Sequence, residues 1–157
     1  MSQPAVVVVF TSRCGATETI AHAAAVGTVN ARRLPRLRRI SDDDRPVSPE
    51  CTDTLRRMQK EYVPPSEADI AGSAGLIIVP GAGMTPSSEV WRSFMTVLER
   101  TAAEGKLSGK VGAVIDVGDG QTVASFSSAL AALGFALIAG KGRDARAHGR
   151  AVGDAVT

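Results

Sequence analysis

Aromatic residues are scarce in this chain: Phe, Trp and Tyr together make up 4% of its 157 residues. The hydrophobic fraction is nevertheless 44%, so a buried core has to be built from Ala, Val, Leu and Ile. Long apolar runs are also missing, and without a stretch of roughly 18 apolar residues we expect no membrane span. The length and composition are typical of one domain, and we expect a single domain over residues 1–157.

Charge of one sign is not in excess, since 18 Lys and Arg stand against 16 Asp and Glu, for a formal net charge of +2. So small a net charge does not indicate a nucleic-acid partner, and we expect none. The segment from Met1 to Pro4 lacks the basic region that opens a secretory signal peptide. We therefore expect a cytoplasmic protein.

Metal-ligating residues are few. Neither of the two histidines, His22 and His148, has a carboxylate or a cysteine at metal-ligand spacing, so we expect packing or surface roles and no metal site. The two cysteines, Cys14 and Cys51, form no CxxC pair. In a cytoplasmic protein this pattern predicts reduced thiols.

The first apolar segment leads directly into a loop suited to anions. Residues 6–10 form a run of Val and Phe without alternation, which predicts a strand buried on both faces. A helix that begins just after such a strand presents free N–H groups and the positive end of its dipole. The hydroxyls of Thr11, Ser12 and Thr17 add further donors. We therefore predict a phosphate-binding loop at residues 11–17.

Strands alternate with helices along the rest of the chain. This alternation predicts βαβ units, and hence a mainly parallel five-stranded sheet with helices on both faces. Between residues 41 and 71 the pattern loosens, and we interpret this part as an elaborated connection with a helix at 51–62. We predict further strands at 29–37 (bent at Pro35), 76–79, 111–117 and 135–139, and further helices at 16–26 (ending at Gly27), 88–101 (capped by Ser87 or Ser88), 122–133 (ending at Gly134) and 143–156.

Three loops rich in Gly, Ser or Thr follow predicted strands, at residues 11–17, 81–88 and 118–121. The carboxyl ends of parallel strands meet at one edge of the sheet, where ligands bind at the topological switch point. Small residues there let a ligand approach the backbone closely. The three loops together predict one binding site.

The sequence resembles the flavodoxin-like flavoproteins, most closely the tryptophan-repressor-binding-protein type of NAD(P)H:quinone reductase. The motifs that carry the resemblance are VVVVFTSRCGATETIA, EADIAGSAGLIIVPGAG, WRSFMTVLER, LSGKVGAVIDVGDGQ and ARAHGRAVGDAV, spread from Val6 to Val156. The resemblance implies a three-layer fold with strand order 2-1-3-4-5 and a non-covalently bound FMN. It implies that Ser12, Arg13, Cys14, Gly15, Ala16 and Thr17 bind the phosphate, and that Gly81, Ala82, Gly83, Met84, Gly118, Asp119, Gly120 and Gln121 contact the isoalloxazine ring.

The implied function is electron or hydride transfer, with NAD(P)H as donor and a quinone-like acceptor. A homo-oligomer is compatible with the resemblance, and the sequence leaves the oligomeric state open. The chain departs from the family in two ways. Neither ring loop contains an aromatic residue, although Met84 offers a polarizable sulfur, and the family's longer insertions after the fourth strand are absent. Two alternatives therefore stay open: a non-enzymatic electron carrier with a redox partner protein, and a member that binds no flavin and serves as an interaction module.

Single residues also have competing interpretations. Cys14 invites comparison with low-molecular-weight tyrosine phosphatases, but Ile20 stands where they need an arginine, so a passive or redox-sensitive thiol is favoured. Trp91 is expected in the core rather than on a flavin. Asp119 either bonds a flavin N–H or makes a turn.

A basic run precedes the elaborated connection. We expect it to be a solvated edge strand in which charge blocks edge-to-edge pairing; the alternative is attraction of an anionic partner, such as the 2′-phosphate of NADPH. Three acidic residues that follow would neutralise the patch. The basic residues are Arg32, Arg33, Arg36, Arg38 and Arg39, and the acidic ones are Asp42, Asp43 and Asp44.

Overall fold

The structure, a computed structural model, describes residues 4–41, 46–115, 117–140 and 144–156. These residues form five strands, six α-helices and one 3₁₀ turn. The strands are β1 (Ala5–Phe10), β2 (Leu34–Arg39), β3 (Gly75–Val79), β4 (Val111–Val114) and β5 (Ala136–Leu137). The helices are α1 (Ala16–Asn30), α2 (Thr52–Glu61), α3 (Glu67–Ala71), α4 (Glu89–Ala103), α5 (Gly120–Ala132) and α6 (Ala145–Ala155), and the 3₁₀ turn is Pro49–Cys51.

The strands form one parallel sheet in the order β2-β1-β3-β4-β5. Strands β1 and β3 lie inside the sheet and are buried along their whole length, which explains why their sequences show no polar alternation. Helices cover both faces, so the predicted three-layer fold class and strand order are confirmed.

Side chains of β1 alternate between two hydrophobic cores. Val7 and Val9 contribute to the core under α3, α4 and α5, where Trp91 is fully buried. Val6 and Val8 contribute to the core under α1 and α6. The strand thereby fixes the carboxyl edge of the sheet, where the loop after β1 begins.

Helix α1 does not end at Gly27, contrary to the sequence prediction, but continues to Asn30. Gly27 is a packing residue: a Cβ there would lie 2.1 Å from the carbonyl oxygen of Arg146, and one at Gly149 would lie 2.0 Å from that of Ala24. Glycines at both positions let the backbones of α1 and α6 touch, so the helix passes through a residue that usually ends one.

Strand β2 begins at Leu34, inside the segment 29–37 that was predicted to contain it, and runs on to Arg39; α1 extends into the first part of that segment, to Asn30. Pro35 lies inside the strand, paired with Val6, and β2 is an edge strand, where a missing N–H is tolerated.

The connection between β2 and β3 contains α2, close to the predicted helix at 51–62, and also α3, which was not predicted. A reciprocal capping box between Ser66 and Asp69 begins α3. The other predicted elements are present with shifted ends. The structure shortens β4 and β5, and the predicted helix start at Arg143 lies outside the described residues.

Candidate functional site

The loop between β1 and α1 has the geometry of an anion site. Gly15 is the N-cap of α1 with φ 97°, a left-handed conformation that suits glycine. Its N–H donates to the Ser12 hydroxyl over 3.0 Å. Among the described residues no side chain forms a cap hydrogen bond to α1, and Glu18 is the acidic residue of its first turn.

Arg39, at the end of β2, supports this loop from behind. The residue is 2% exposed, and its guanidinium donates to the carbonyl oxygen of Ser12 from Nε (3.1 Å) and from Nη2 (3.0 Å). Arg39 was expected to be a solvated edge residue, and that prediction is wrong for this residue. The strand end turns its side chain under the loop, a contact that depends on strand pairing and leaves no local sequence signal.

Cys14 and Cys51 form a disulfide with a Cα–Cα distance of 5.0 Å, so the prediction of reduced thiols is wrong. The two residues are 37 positions apart, and they meet because the chain before α2 folds back beside the loop. Arg13 Nη2 donates to the carbonyl oxygen of Pro46 over 2.8 Å in the same region. Thr54 lies close as well, since its Cγ2 would be 3.3 Å from a Cβ at Gly15.

A polar cluster joins α1 to α2 below the loop. Arg57 donates to both carboxylate oxygens of Glu18 (2.9 and 2.6 Å), and the Tyr62 hydroxyl donates to Glu18 over 2.6 Å and lies 2.7 Å from His22 Nε2. The Arg57 hydrogen bonds hold the pKa of Glu18 below its usual value. Burial, with Glu18 as acceptor, raises the pKa of Tyr62 well above its usual range. The cluster fixes α2 against the first turn of α1.

The two loops assigned to the ring are hydrogen-bonded to each other. The N–H of Gly83 donates to Asp119 Oδ2 over 2.9 Å and to Thr122 Oγ1 over 3.1 Å. Asp119 also caps α5 by accepting from the N–H groups of Gln121 and Thr122. Bonds led by the Thr122 hydroxyl hold the pKa of Asp119 below its usual value. Asp119 thus caps α5 and also joins the two loops, and its bond to a flavin N–H stays a prediction.

The first two loops meet directly. The N–H of Gly81 donates to Thr11 Oγ1 over 3.0 Å, so the loop after β3 lies against the phosphate loop. The structure therefore places residues 11–17, 81–84 and 118–121 together at one edge of the sheet. The sequence reasoning missed the supporting residues Arg39, Cys51, Thr54 and Thr122.

Two open spaces adjoin the loops. A cavity of about 140 Å³ lies at the phosphate loop, and a groove of about 830 Å³ runs beside it along α4. The cavity is of a size for a small group, and the groove lies within the roughly 300–1,000 Å³ typical of ligand sites. Ile40, Met84 and Val90 line both. The further lining of the cavity is Thr11, Ser12, Arg13, Thr17 and Gly81.

Residues with competing interpretations can now be placed. Trp91 is in the core against Phe126, as expected. His148 is buried and pairs with the carbonyl oxygen of Ile138 at 2.7 Å, so a packing role is confirmed. Within the described ranges, no three His, Cys, Asp or Glu residues come together as metal ligands, and no helix has the length and hydropathy to cross a bilayer.

The remaining arginines of the basic run divide into two groups. Arg33 donates to the carbonyl oxygens of Gly153 and Val156, and Arg38 makes a two-bond ion pair with Asp69. Arg32 and Arg36 are exposed, as expected for a solvated edge. The neutralising role predicted for Asp42, Asp43 and Asp44 concerns residues outside the described part of the chain.

Comparisons with known proteins find likeness in structure. No family model and no curated protein sequence matches the chain. A short-chain flavodoxin associated with a non-canonical PDU bacterial microcompartment is 18% identical, with 96% of this chain and 95% of that chain covered and a TM-score of 0.64. The two-electron reduced flavodoxin of Megasphaera elsdenii is 16% identical, with 94% and 98% covered and a TM-score of 0.64.

A WrbA-like flavodoxin protein from Agrobacterium tumefaciens is also similar. It is 17% identical, with 99% of this chain and 95% of that chain covered and a TM-score of 0.59. At such identities the likeness concerns the fold. Together with the strand order, it shows that this chain has the flavodoxin-like fold.

Proposed function

We propose that the protein is an FMN-binding flavoprotein that acts in electron or hydride transfer. The observation that carries the proposal is the loop at residues 11–17, where the start of α1 has no side-chain cap and adjoins a small cavity lined by hydroxyls and Arg13. Backbone N–H groups at a helix N-terminus together with hydroxyls and a guanidinium are a donor set that fits a phosphate monoester.

The phosphate half of the site follows from these donors. We assign the phosphate to Ser12, Arg13, Cys14, Gly15, Ala16 and Thr17, with backbone N–H groups as the main donors. Thr17 and Ser12 line the cavity and offer hydroxyls. The Ser12 hydroxyl now accepts from Gly15, and it retains its own proton to donate to an anion.

The ring half is assigned to two loops, Gly81, Ala82, Gly83 and Met84 in the first and Gly118, Asp119, Gly120 and Gln121 in the second. In the structure the N–H of Gly83 joins these two loops through Asp119 and Thr122, and we infer that a ring entering between them displaces these bonds. Met84 lines both the cavity and the groove, so its sulfur is placed to pack on an aromatic ring that enters from either side.

FMN supplies the redox chemistry when bound, and the protein supplies position and electrostatics. The proposed reaction is NAD(P)H-dependent reduction of a quinone-like acceptor, as in the tryptophan-repressor-binding-protein type of reductase that the sequence resembles. The WrbA-like structure among the similar ones is consistent with this choice. A cytoplasmic location belongs to the same proposal, and it requires the Cys14–Cys51 disulfide to be reversible, because stable disulfides are rare in that compartment.

A non-enzymatic electron carrier is the second candidate. It is favoured by the similarity to two flavodoxins, because this chain covers 95% and 98% of their respective lengths. The third candidate, a chain that binds no flavin and acts through protein contacts, is favoured by the bonds that hold the ring loops together.

Titration of the purified protein with FMN tests the proposal. Binding is expected to shift the flavin absorbance bands and quench FMN fluorescence. If the loaded protein then oxidises NADH or NADPH with a benzoquinone as acceptor, the enzyme is supported; if it accepts electrons from a chemical donor but not from NAD(P)H, the carrier is. A protein that leaves the FMN signal unchanged at tens of micromolar would exclude both.

A further inference from the structure

The Cys14–Cys51 disulfide touches the proposed site without occupying it. Cys14 is in the loop assigned to the phosphate, whereas Cys51 ends the 3₁₀ turn that leads into α2. Neither cysteine lines the cavity at the loop. The bond therefore braces the loop from its outer side and leaves the anion-facing side open.

The two cysteines differ in exposure. Cys14 is an exposed residue, whereas Cys51 is 6% exposed. Cys14 is thus the half of the disulfide that a dithiol in solution would attack, with the buried Cys51 as the leaving group. A disulfide with one exposed partner is more open to exchange than a wholly buried one.

Other contacts hold the neighbourhood in place when the bond opens. The Glu18–Arg57 ion pair and the Tyr62 hydroxyl keep α2 against α1 independently of the cysteines. Arg39 donates to the Ser12 carbonyl, and Arg13 donates to the Pro46 carbonyl, so both contacts lie before Cys14 in the chain. Reduction is therefore expected to loosen the loop at Cys14 and Gly15 while the fold persists.

We propose that the Cys14–Cys51 disulfide is a reversible thiol switch that sets the affinity of the phosphate loop for FMN, tight when oxidised and weaker when reduced. This inference rests on the proposed FMN function. A loop that is already ordered loses little conformational entropy when its ligand binds. In the reduced protein the loop has to become ordered on binding, and this entropy loss weakens the affinity. We expect the reduced protein to bind FMN on the order of tenfold more weakly.

The switching step is a thiol–disulfide exchange. A thiolate of a reducing dithiol attacks the Cys14 sulfur, the Cys14–Cys51 bond breaks, and Cys51 leaves as a thiolate that takes a proton. The second thiol of the reductant then displaces Cys14 and closes its own disulfide. Two electrons and two protons pass to the protein. A small-molecule disulfide, such as oxidised glutathione, reverses the step.

The test compares FMN titrations of the full chain in three forms under anaerobic conditions. They are the oxidised protein, the same protein reduced by a dithiol that is then removed, and Cys51→Ser, which keeps every residue of the phosphate loop. Ser48→Ala is the matched control, because it removes a 3.3 Å contact with the Cys51 sulfur and leaves the bond intact. Circular dichroism checks the fold, and reoxidation checks reversibility.

Hydrogen exchange of the amides at residues 13–17, measured without FMN, separates the two proposals. The switch would be supported if the reduced protein and Cys51→Ser both bind FMN more weakly and exchange faster at these amides. Ser48→Ala should behave like the oxidised protein. Equal affinity in all forms would overturn it and leave the FMN proposal standing. If no form binds FMN, the FMN proposal fails together with the affinity switch that rests on it, and faster exchange on reduction would then show only that the bond orders the loop.

Discussion

The phosphate loop and the loops assigned to the ring differ in what holds them. Residues 11–17 are restrained by distant parts of the chain: Arg39 from β2, Cys51 from the start of α2 and Pro46 from the connection. Residues 81–84 and 118–121 are joined to one another through the N–H of Gly83, and Gly81 also donates to Thr11 of the first loop. If the proposed site is correct, its phosphate half is held by distant parts of the chain and its ring half is closed by its own loops.

Breaking the disulfide should have the largest effect on stability. Cross-linking residues 37 positions apart restricts the unfolded chain, so Cys51→Ser is expected to lower the free energy of unfolding by about 2–4 kcal/mol. Urea unfolding of the oxidised protein, the reduced protein and the variant measures this. Equal midpoints for all three would show that the bond does not stabilise the folded protein.

Removing the buried cation should come next. Arg39→Met keeps much of the side-chain length but loses both hydrogen bonds to the Ser12 carbonyl, so stability should fall by about 2 kcal/mol. Arg36→Met, an exposed position in the same strand, is the matched control and should change stability by less than about 0.5 kcal/mol. If the two variants lose similar amounts of stability, the hydrogen bonds of Arg39 to the Ser12 carbonyl contribute no more than an exposed edge residue does.

The α1–α2 cluster predicts a pH dependence on the phosphate side. Because the pKa of Glu18 is lower in the folded protein than its ordinary value of 4.5, the unfolded chain takes up this proton first as pH falls. The stabilisation is therefore complete above that ordinary value and is lost as pH falls through the folded pKa. Stability measured from pH 7 downwards should fall less steeply in Glu18→Gln; an identical pH profile would contradict the assignment.

The smallest effect should come from freeing the ring loops. Thr122→Val keeps the shape of this buried side chain and removes one acceptor of the Gly83 N–H, so stability should fall by about 1 kcal/mol. FMN should then bind a few-fold more tightly, because less has to be broken on opening. Thr96→Val, on the exposed side of α4, is the control and should leave binding unchanged. Weaker binding by Thr122→Val would mean that the hydroxyl supports the ligand instead.

The sequence could predict features that depend on local patterns, and it could not predict those that depend on contacts between distant residues. The unalternating run in β1 and the alternation of strands with helices are local patterns, and they sufficed to predict a parallel sheet with helices on both faces. The strand order was predicted from the resemblance to flavodoxin-like proteins. The contact of α1 with α6 at Gly27 is not local, so a helix end was predicted where two backbones touch.

The candidate site shows the same division. The three loops could be recognised because each follows a strand directly. Their restraints could not, since Arg39, Cys51 and Thr122 act on residues in other elements. Even a two-cysteine chain gives no signal of pairing until the connection between β2 and β3 is folded.

The most direct measurement is FMN binding by Gly15→Asp and Gly15→Asn, compared with the unchanged protein by fluorescence quenching. Asn and Asp tolerate the left-handed conformation at Gly15 best among side chains and differ by one charge. If the phosphate lies at the start of α1, Asn should weaken binding a few-fold and Asp on the order of a hundredfold, because its carboxylate repels the phosphate. Equal affinities for the two variants would place the anion elsewhere and contradict the account.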